Sequence, residues 1–218
     1  MPASECIDVA ADIICPWCYI GKRQLERALE SIASEELKFS VQWRPFQLMP
    51  EIPSTGRDRR AYREAKYGAS ARAQEADARV AEAAARVGLE FRFELMHRMP
   101  NTLAAHRVVW LAGREGKQDA VMEALFRAHF LHGRDLGDGA TLVEVAGDSG
   151  LDPAKIAALL AGREGRAEVL AEEQKLRRAG VAGVPAFLIG NRVVIAGAAP
   201  VEAMAGAFVS ATRKAIRL

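Results

Sequence analysis

The stretch that most restricts how this chain can fold is Cys15-Pro16-Trp17-Cys18. An apolar run from Cys6 to Ile14, broken only by Asp8 and Asp12, precedes it and reads as a strand buried on most of its surface. A helical pattern follows, with Ile20, Leu25, Ala28, Leu29 and Ile32 near helical spacing and Lys22, Arg23, Glu26, Arg27 and Glu30 filling the other positions. Two thiols therefore stand where a strand hands over to a helix. With Cys15 as the N-cap, Pro16 takes the first helical position, where its missing N–H removes no bond and its fixed φ suits the helix. Cys18 lies one turn deeper. The free N–H groups of the first turn and the positive end of the helix dipole favour a thiolate at the cap, and the thiolate is the nucleophilic form of cysteine. The chemistry this points to is thiol–disulfide exchange.

Of 218 residues, 50% are hydrophobic and 27% charged, so the chain can bury a substantial core as one elaborated domain or two small ones. A net charge of +2 from scattered acids and bases gives no basic face for nucleic acid or an anionic membrane. No apolar stretch approaches the ~20 residues needed to span a bilayer. Met1 to Glu5 leads into the strand pattern without a charged-then-apolar signal region, and the expected location is cytoplasmic. Three cysteines cannot build a disulfide framework, and in a reducing compartment a close pair is more often catalytic or metal-binding than structural.

Lys38 to Phe46 alternates as a second strand, after which Pro45, Pro50 and Pro53 forbid regular pairing. Strand, helix and strand read as a βαβ unit. Arg57 to Arg63 is a basic run expected to form a solvated face. Helices follow over Ser70 to Val87, from Asn101 or Thr102 to about Gly113, and over Gln118 to Leu131. A short helix carries the capping-box spacing of Thr141 and Glu144, and another starts at Asp152-Pro153. Leu89 to Leu95 alternates but lacks a partner strand, so an extended connector is expected. A helix over Arg163 to Ala179 precedes a strand from Val184 to Ile189, a Gly190-Asn191 hairpin turn, a strand from Arg192 to Ala196 and a helix opened by Pro200. The α/β segments, residues 1–56 and 163–218, form one discontinuous domain around a helical insertion, residues 57–162.

Cys15-Pro16-Trp17-Cys18-Tyr19-Ile20-Gly21-Lys22-Arg23, Trp43-Arg44-Pro45-Phe46-Gln47-Leu48 and Gly183-Val184-Pro185 resemble the DsbA-type thioredoxin superfamily, most nearly its cytoplasmic FrnE-like branch. Pro100-Asn101-Thr102, Ala105-His106-Arg107 and Gly197-Ala198 followed by Pro200 extend the resemblance over nearly the whole chain. It implies a thioredoxin fold interrupted by an inserted α-helical domain. It also implies a dithiol–disulfide oxidoreductase with Cys15 as nucleophile, Cys18 as resolving thiol, and Pro185 as a cis-proline facing them. Pro16 and Trp17 differ from the Pro-His of the periplasmic oxidant, so a strongly oxidising character does not transfer. Kappa-class glutathione transferases and hydroxychromene carboxylate isomerases share the architecture but carry serine where Cys15 stands.

Zinc needs about four close ligands. Cys6 lies remote in the first strand, where it reads as a small packed residue, and only two residues separate His129 from His132. No metal or organic cofactor is required by this reading. Expected partners are protein disulfides or small thiols such as glutathione, meeting the chain at Pro16, Trp17, Val184 and Pro185; oligomeric state is not legible. Asp12, three residues before Cys15, is either a polar strand end or a proton acceptor for Cys18. Asn101 and His106 are a helix cap and a surface histidine or, by the resemblance, substrate contacts. Two further functions stay open: a kappa-type glutathione-dependent transferase or isomerase, which would not need Cys18, and a non-catalytic peptide-binding module.

Overall fold

A computed structural model describes residues 3–33 and 37–216; Met1 and Pro2, where the reading of the amino terminus begins, lie outside them. The elements are β1 (Ala3–Ala11), α1 (Pro16–Ser31), β2 (Leu37–Pro45), β3 (Arg57–Asp58), α2 (Arg59–Tyr67), α3 (Ser70–Ala85), β4 (Arg98–Met99), α4 (Leu103–Arg114), α5 (Gln118–Phe130), α6 (Gly139–Asp148), α7 (Pro153–Ala161), α8 (Arg166–Arg178), β5 (Ala186–Ile189), β6 (Arg192–Ala196) and α9 (Val201–Ile216). Their packing divides the chain into two compact units, residues 1–48 with 171–218, and residues 49–170.

The first unit holds a four-stranded sheet in the order β2-β1-β5-β6. β1 runs parallel to β2, with Val9 beside Trp43, and antiparallel to β5, with Val9 beside Phe187. A β-bulge interrupts the antiparallel β5–β6 pair between Phe187 and Leu188. The hairpin between them turns at Gly190 and Asn191, whose φ angles of 55° and 62° suit the two residues the sequence supplies there. On one face Ile7, Val9, Trp43 and Phe187 are buried with Tyr19, Leu25 and Ala28 of α1 and Met204 and Phe208 of α9. Phe208 is the hub of this layer, its ring centroid 6.2 Å from both Phe39 and Phe187; each such buried phenylalanine contributes roughly 1.5–3 kcal/mol. On the other face Ala10, Ala186 and Leu188 pack with Phe46, Val181 and Leu176 of α8, and Arg44 joins Asp8 at 2.7 Å to Glu172 at 3.4 Å.

β1 differs from its sequence reading in two respects. It ends at Ala11 rather than Ile14, because Asp12 to Ile14 form the turn into α1. Cys6 is exposed instead of packed, since the cover of this face reaches only as far as Ala10 and the Asp8–Arg44 pair.

In the second unit, β3 and β4 pair antiparallel through Arg57–Met99 and Asp58–Arg98, two strands too short for any period to reveal. The connector before β4 contains a 3₁₀ turn at Phe93–Leu95, and Phe91 stacks on Phe130 with centroids 4.7 Å apart. The basic run is not simply solvated. Arg59, at 2.8 Å, and Arg63 both grip Asp77 of α3, while Arg59 also lies over Phe93 and Arg63 over Tyr67. Arg57 and Arg60 are exposed, as the expected face requires. Asp138, not Thr141, caps α6, accepting from the N–H groups of Ala140 and Thr141, and Glu144 instead pairs with Arg134 at 2.7 Å. Asp152 caps α7 with Pro153 in the first turn. The buried Arg107 donates to the carbonyls of Glu164 at 2.8 Å, Gly162 at 2.9 Å and Leu159, closing the carboxyl end of α7.

Candidate active site

The turn between β1 and α1 is held by its own backbone: the Cys15 N–H donates to Asp12 O at 3.0 Å, and the Cys18 N–H to Cys15 O at 3.0 Å. Ile13 and Ile14 are buried beneath it, so the apolar run that precedes the cysteines anchors the turn rather than prolonging the strand. Cys15 is the N-cap of α1, with φ −86° and ψ 112°, and Pro16 opens the helix. The Cys15 side chain makes no capping hydrogen bond. Its sulfur instead lies 3.6 Å from Val184 O.

Cys15 and Cys18 come within 3.4 Å of each other, and both are free thiols. Neither is open to solvent: Cys15 is 3% exposed and Cys18 1%. A helix mouth suggests an exposed cap, but here the loop carrying Val184 approaches Cys15. Burial pushes the Cys18 thiol well above its ordinary value, and its hydrogen bond to Cys15, the charge of Cys15 and the charge of Asp12 act in the same direction, against a hydrogen bond from the Asp12 main chain. Cys18 is thus held as a thiol that points its proton at Cys15.

Trp17, between the cysteines, is 42% exposed and Pro16 half-buried. Val184 is half-buried and Pro185 buried, and the peptide bond joining them is cis. Pro185 O accepts from the Gly197 N–H at 2.7 Å, tying the loop to the end of β6. Beside it opens a groove of about 290 Å³ walled by Val181, Ala182, Val184, Val193 and Ala196. The structure therefore brings together Cys15, Cys18 and Val184.

Asp12 is fully buried, and its Oδ2 accepts from the Leu48 N–H at 2.8 Å, where β2 leaves the sheet. Thr102 is the N-cap of α4, and Asn101 just before it accepts from the Leu103 N–H at 3.0 Å and donates to Ile52 O at 2.7 Å. His106 is buried, not a surface histidine. His129 is also buried, its Nδ1 3.3 Å from Arg134 O. Among the described residues, no group of three His, Cys, Asp or Glu side chains is arranged to hold a metal.

The residue missed by sequence reasoning is Gly21. A Cβ there would stand 3.1 Å from Pro185 Cγ and 3.4 Å from Phe187 Cζ, so α1 can approach the loop this closely only without a side chain. The available signal was a glycine inside a helix, which lowers helix stability by about 1 kcal/mol relative to alanine and so suggests a packing reason.

The model of a family described as the DSBA-like thioredoxin domain matches residues 6–209. A probable DsbA oxidoreductase from Streptomyces coelicolor is similar in structure, with a TM-score of 0.87, 31% identity, and coverage of 95% of this chain and 89% of that one. The cytosolic disulfide reductase DsbM from Pseudomonas aeruginosa, solved with GSH, has the same fold at a TM-score of 0.65 and 20% identity, covering 98% of this chain and 100% of that one. An uncharacterized Bacillus subtilis protein, YwbO, is 28% identical over 192 residues, 86% of this chain and 88% of its own length.

Proposed function

We propose that this chain, which belongs to the DSBA-like thioredoxin domain family, is a thiol–disulfide oxidoreductase that works through Cys15 and Cys18. The observation that carries the reading is the pair of free thiols 3.4 Å apart at the start of α1. In the reductive direction the Cys15 thiolate attacks one sulfur of a substrate disulfide, forming a mixed disulfide and releasing one substrate thiolate. Cys18 then attacks Cys15, the Cys15–substrate bond breaks, and a Cys15–Cys18 disulfide remains. Two electrons have passed from the dithiol to the substrate. Written backwards, the same steps oxidise a substrate dithiol.

The roles follow from depth. Cys15 occupies the cap, while Cys18 sits a turn inside α1 with its proton directed at Cys15, an arrangement that suits first attack by one and later resolution by the other. Pro16, Trp17, Val184 and Pro185 are the proposed substrate contacts: Trp17 is exposed, and Val184 offers a carbonyl already beside the nucleophile. Proposed partners are protein disulfides and small thiols such as glutathione, the latter supported by the GSH solved with DsbM. The proposed compartment is the cytoplasm, as for the FrnE-like branch; no described helix is long and apolar enough to cross a membrane. The proposed thioredoxin-like domain, residues 1–56 and 163–218, carries the redox pair, and residues 57–162 are its helical insertion.

Replacing each cysteine tests the assignment. Cys18→Ser should accumulate a mixed disulfide with protein or glutathione through Cys15, visible by mass under non-reducing conditions, whereas Cys15→Ser should accumulate none and lose turnover. Turnover retained by Cys15→Ser would overturn the roles.

A further inference from the structure

We propose that the Val184 carbonyl is a redox-gated acceptor: the Cys15 thiol occupies it in the dithiol form and leaves it to a backbone N–H of an extended peptide in the disulfide form, so the chain holds peptides more tightly oxidised than reduced. The inference rests on the exchange reading above. Cys15 Sγ lies 3.6 Å from Val184 O, within reach of a thiol donor, and at 3% exposure its proton has little water to turn to. Cys18 directs its own proton at Cys15, which leaves the Cys15 proton for Val184. The carbonyl cannot follow the sulfur elsewhere. Pro185 O accepts from the Gly197 N–H at 2.7 Å, Pro185 abuts Gly21 so closely that a Cβ there would stand 3.1 Å from its Cγ, and Ala186 pairs with both Ala10 and Ala196 in the sheet. Val184 itself is half-buried and borders the groove of about 290 Å³, so a peptide can reach it.

Oxidation removes the donor. When Cys15 and Cys18 join, two electrons and two protons leave the pair and pass to the substrate disulfide, which becomes two thiols. Neither sulfur of the new bond carries a proton, and Val184 O is open to an N–H from an added strand. The carbonyl has two lone pairs, but a peptide whose sulfur is to meet Cys15 arrives from the Cys15 side, and its N–H competes with the thiol for the same one. In the mixed disulfide Cys15 is again without a proton, so the acceptor stays open while substrate is attached. It closes only when the dithiol is restored. In a turnover that oxidises a peptide dithiol, the proton returning to Cys15 therefore loosens the disulfide product, whereas in the reverse direction the dithiol product must leave an open acceptor.

Calorimetric titration of the full chain with S-methylglutathione tests the gate, since this probe has backbone N–H groups and a blocked sulfur that cannot exchange. We expect the oxidised protein to bind it about three- to tenfold more tightly than the reduced protein, the worth of one net hydrogen bond. Cys15→Ala, which has no thiol to offer, should bind it with the oxidised protein's affinity even under reductant. The NMR resonance of the Val184 carbonyl carbon should move upfield on oxidation and stand at the oxidised position in reduced Cys15→Ala. Equal binding by the two forms, tighter binding by the reduced form, no binding by either, or a carbonyl resonance unmoved by oxidation would overturn the gate and leave the exchange reading standing. No mixed disulfide in Cys18→Ser and no turnover in the wild type would overturn both. Should Cys15→Ala fail to fold, the same probe methylated on its cysteine amide decides with the wild-type protein: it lacks the competing N–H and should lose the preference for the oxidised form, and a preference retained overturns the proposal.

Discussion

Gly21→Ala is a demanding perturbation because the helix and the site pull it in opposite directions. The new methyl carbon would stand 3.1 Å from Pro185 Cγ, 3.4 Å from Phe187 Cζ and 3.6 Å from Pro185 Cβ, against comfortable carbon–carbon contacts of about 3.5–4.0 Å. Pro185 must therefore retreat by a few tenths of an ångström. Its neighbours resist, since Phe187 is fully buried and Pro185 O is bonded to the Gly197 N–H. Overpacking of this kind costs about 1–3 kcal/mol, while removing glycine from a helix interior returns about 1 kcal/mol. The expected net loss is about 1 kcal/mol, measured by urea denaturation of the reduced protein. Turnover should suffer more than stability, because Pro185 carries Val184, whose carbonyl lies 3.6 Å from Cys15 Sγ. A Gly21→Ala protein stabilised by about 1 kcal/mol with unchanged turnover would refute the close approach as a constraint on the site.

The buried Cys18 thiol makes stability depend on pH. Its folded pKa lies above the unfolded one, so its contribution is fully present below about pH 8.5 and is lost as pH rises through the higher folded value, with a slope of up to about 1.4 kcal/mol per pH unit. Urea titrations of reduced wild type and Cys18→Ser from pH 7 to pH 10 should converge in that window; parallel curves would contradict the burial argument. In the second unit, Arg107→Met should lower stability by roughly 2–4 kcal/mol, because carbonyls of Leu159, Gly162 and Glu164 lose charged donors at a buried helix end. A loss below about 0.5 kcal/mol, the scale of an ordinary surface substitution, would show that water replaces the guanidinium.

Much of the first unit was legible because its signals are local. Cys15-Pro16 marks a helix start, Gly190-Asn191 a hairpin, and Lys38 to Phe46 a strand, each through backbone chemistry within a few residues. What the sequence hid depends on partners far along the chain. Asp77 lies in an alanine-rich helix, and nothing near it announces that it will hold Arg59 and Arg63. Thr141 and Glu144 have capping-box spacing, but Asp138 stands one residue before the helix actually begins and takes the role. At the site, the motif located the thiols but not their depth, because Val184, whose carbonyl lies against Cys15, is 169 positions away. Gly21 was in plain view, and only the proximity of Pro185 gives it meaning.

That separation also orders the protein's birth. The motif is synthesised early, with β1, α1 and β2, but β1 gains its second neighbour only when β5 arrives. At ribosomal speeds of about 5–20 residues per second, roughly 10–30 s pass between Cys15 and Val184. During that interval the thiols have neither the carbonyl nor the sheet edge that later enclose them, while residues 49–170, a contiguous unit, can fold as they emerge. The proposed redox centre is therefore completed only after the Val184 loop and β5 have emerged, and until then the fold gives Cys15 and Cys18 no cover from that side.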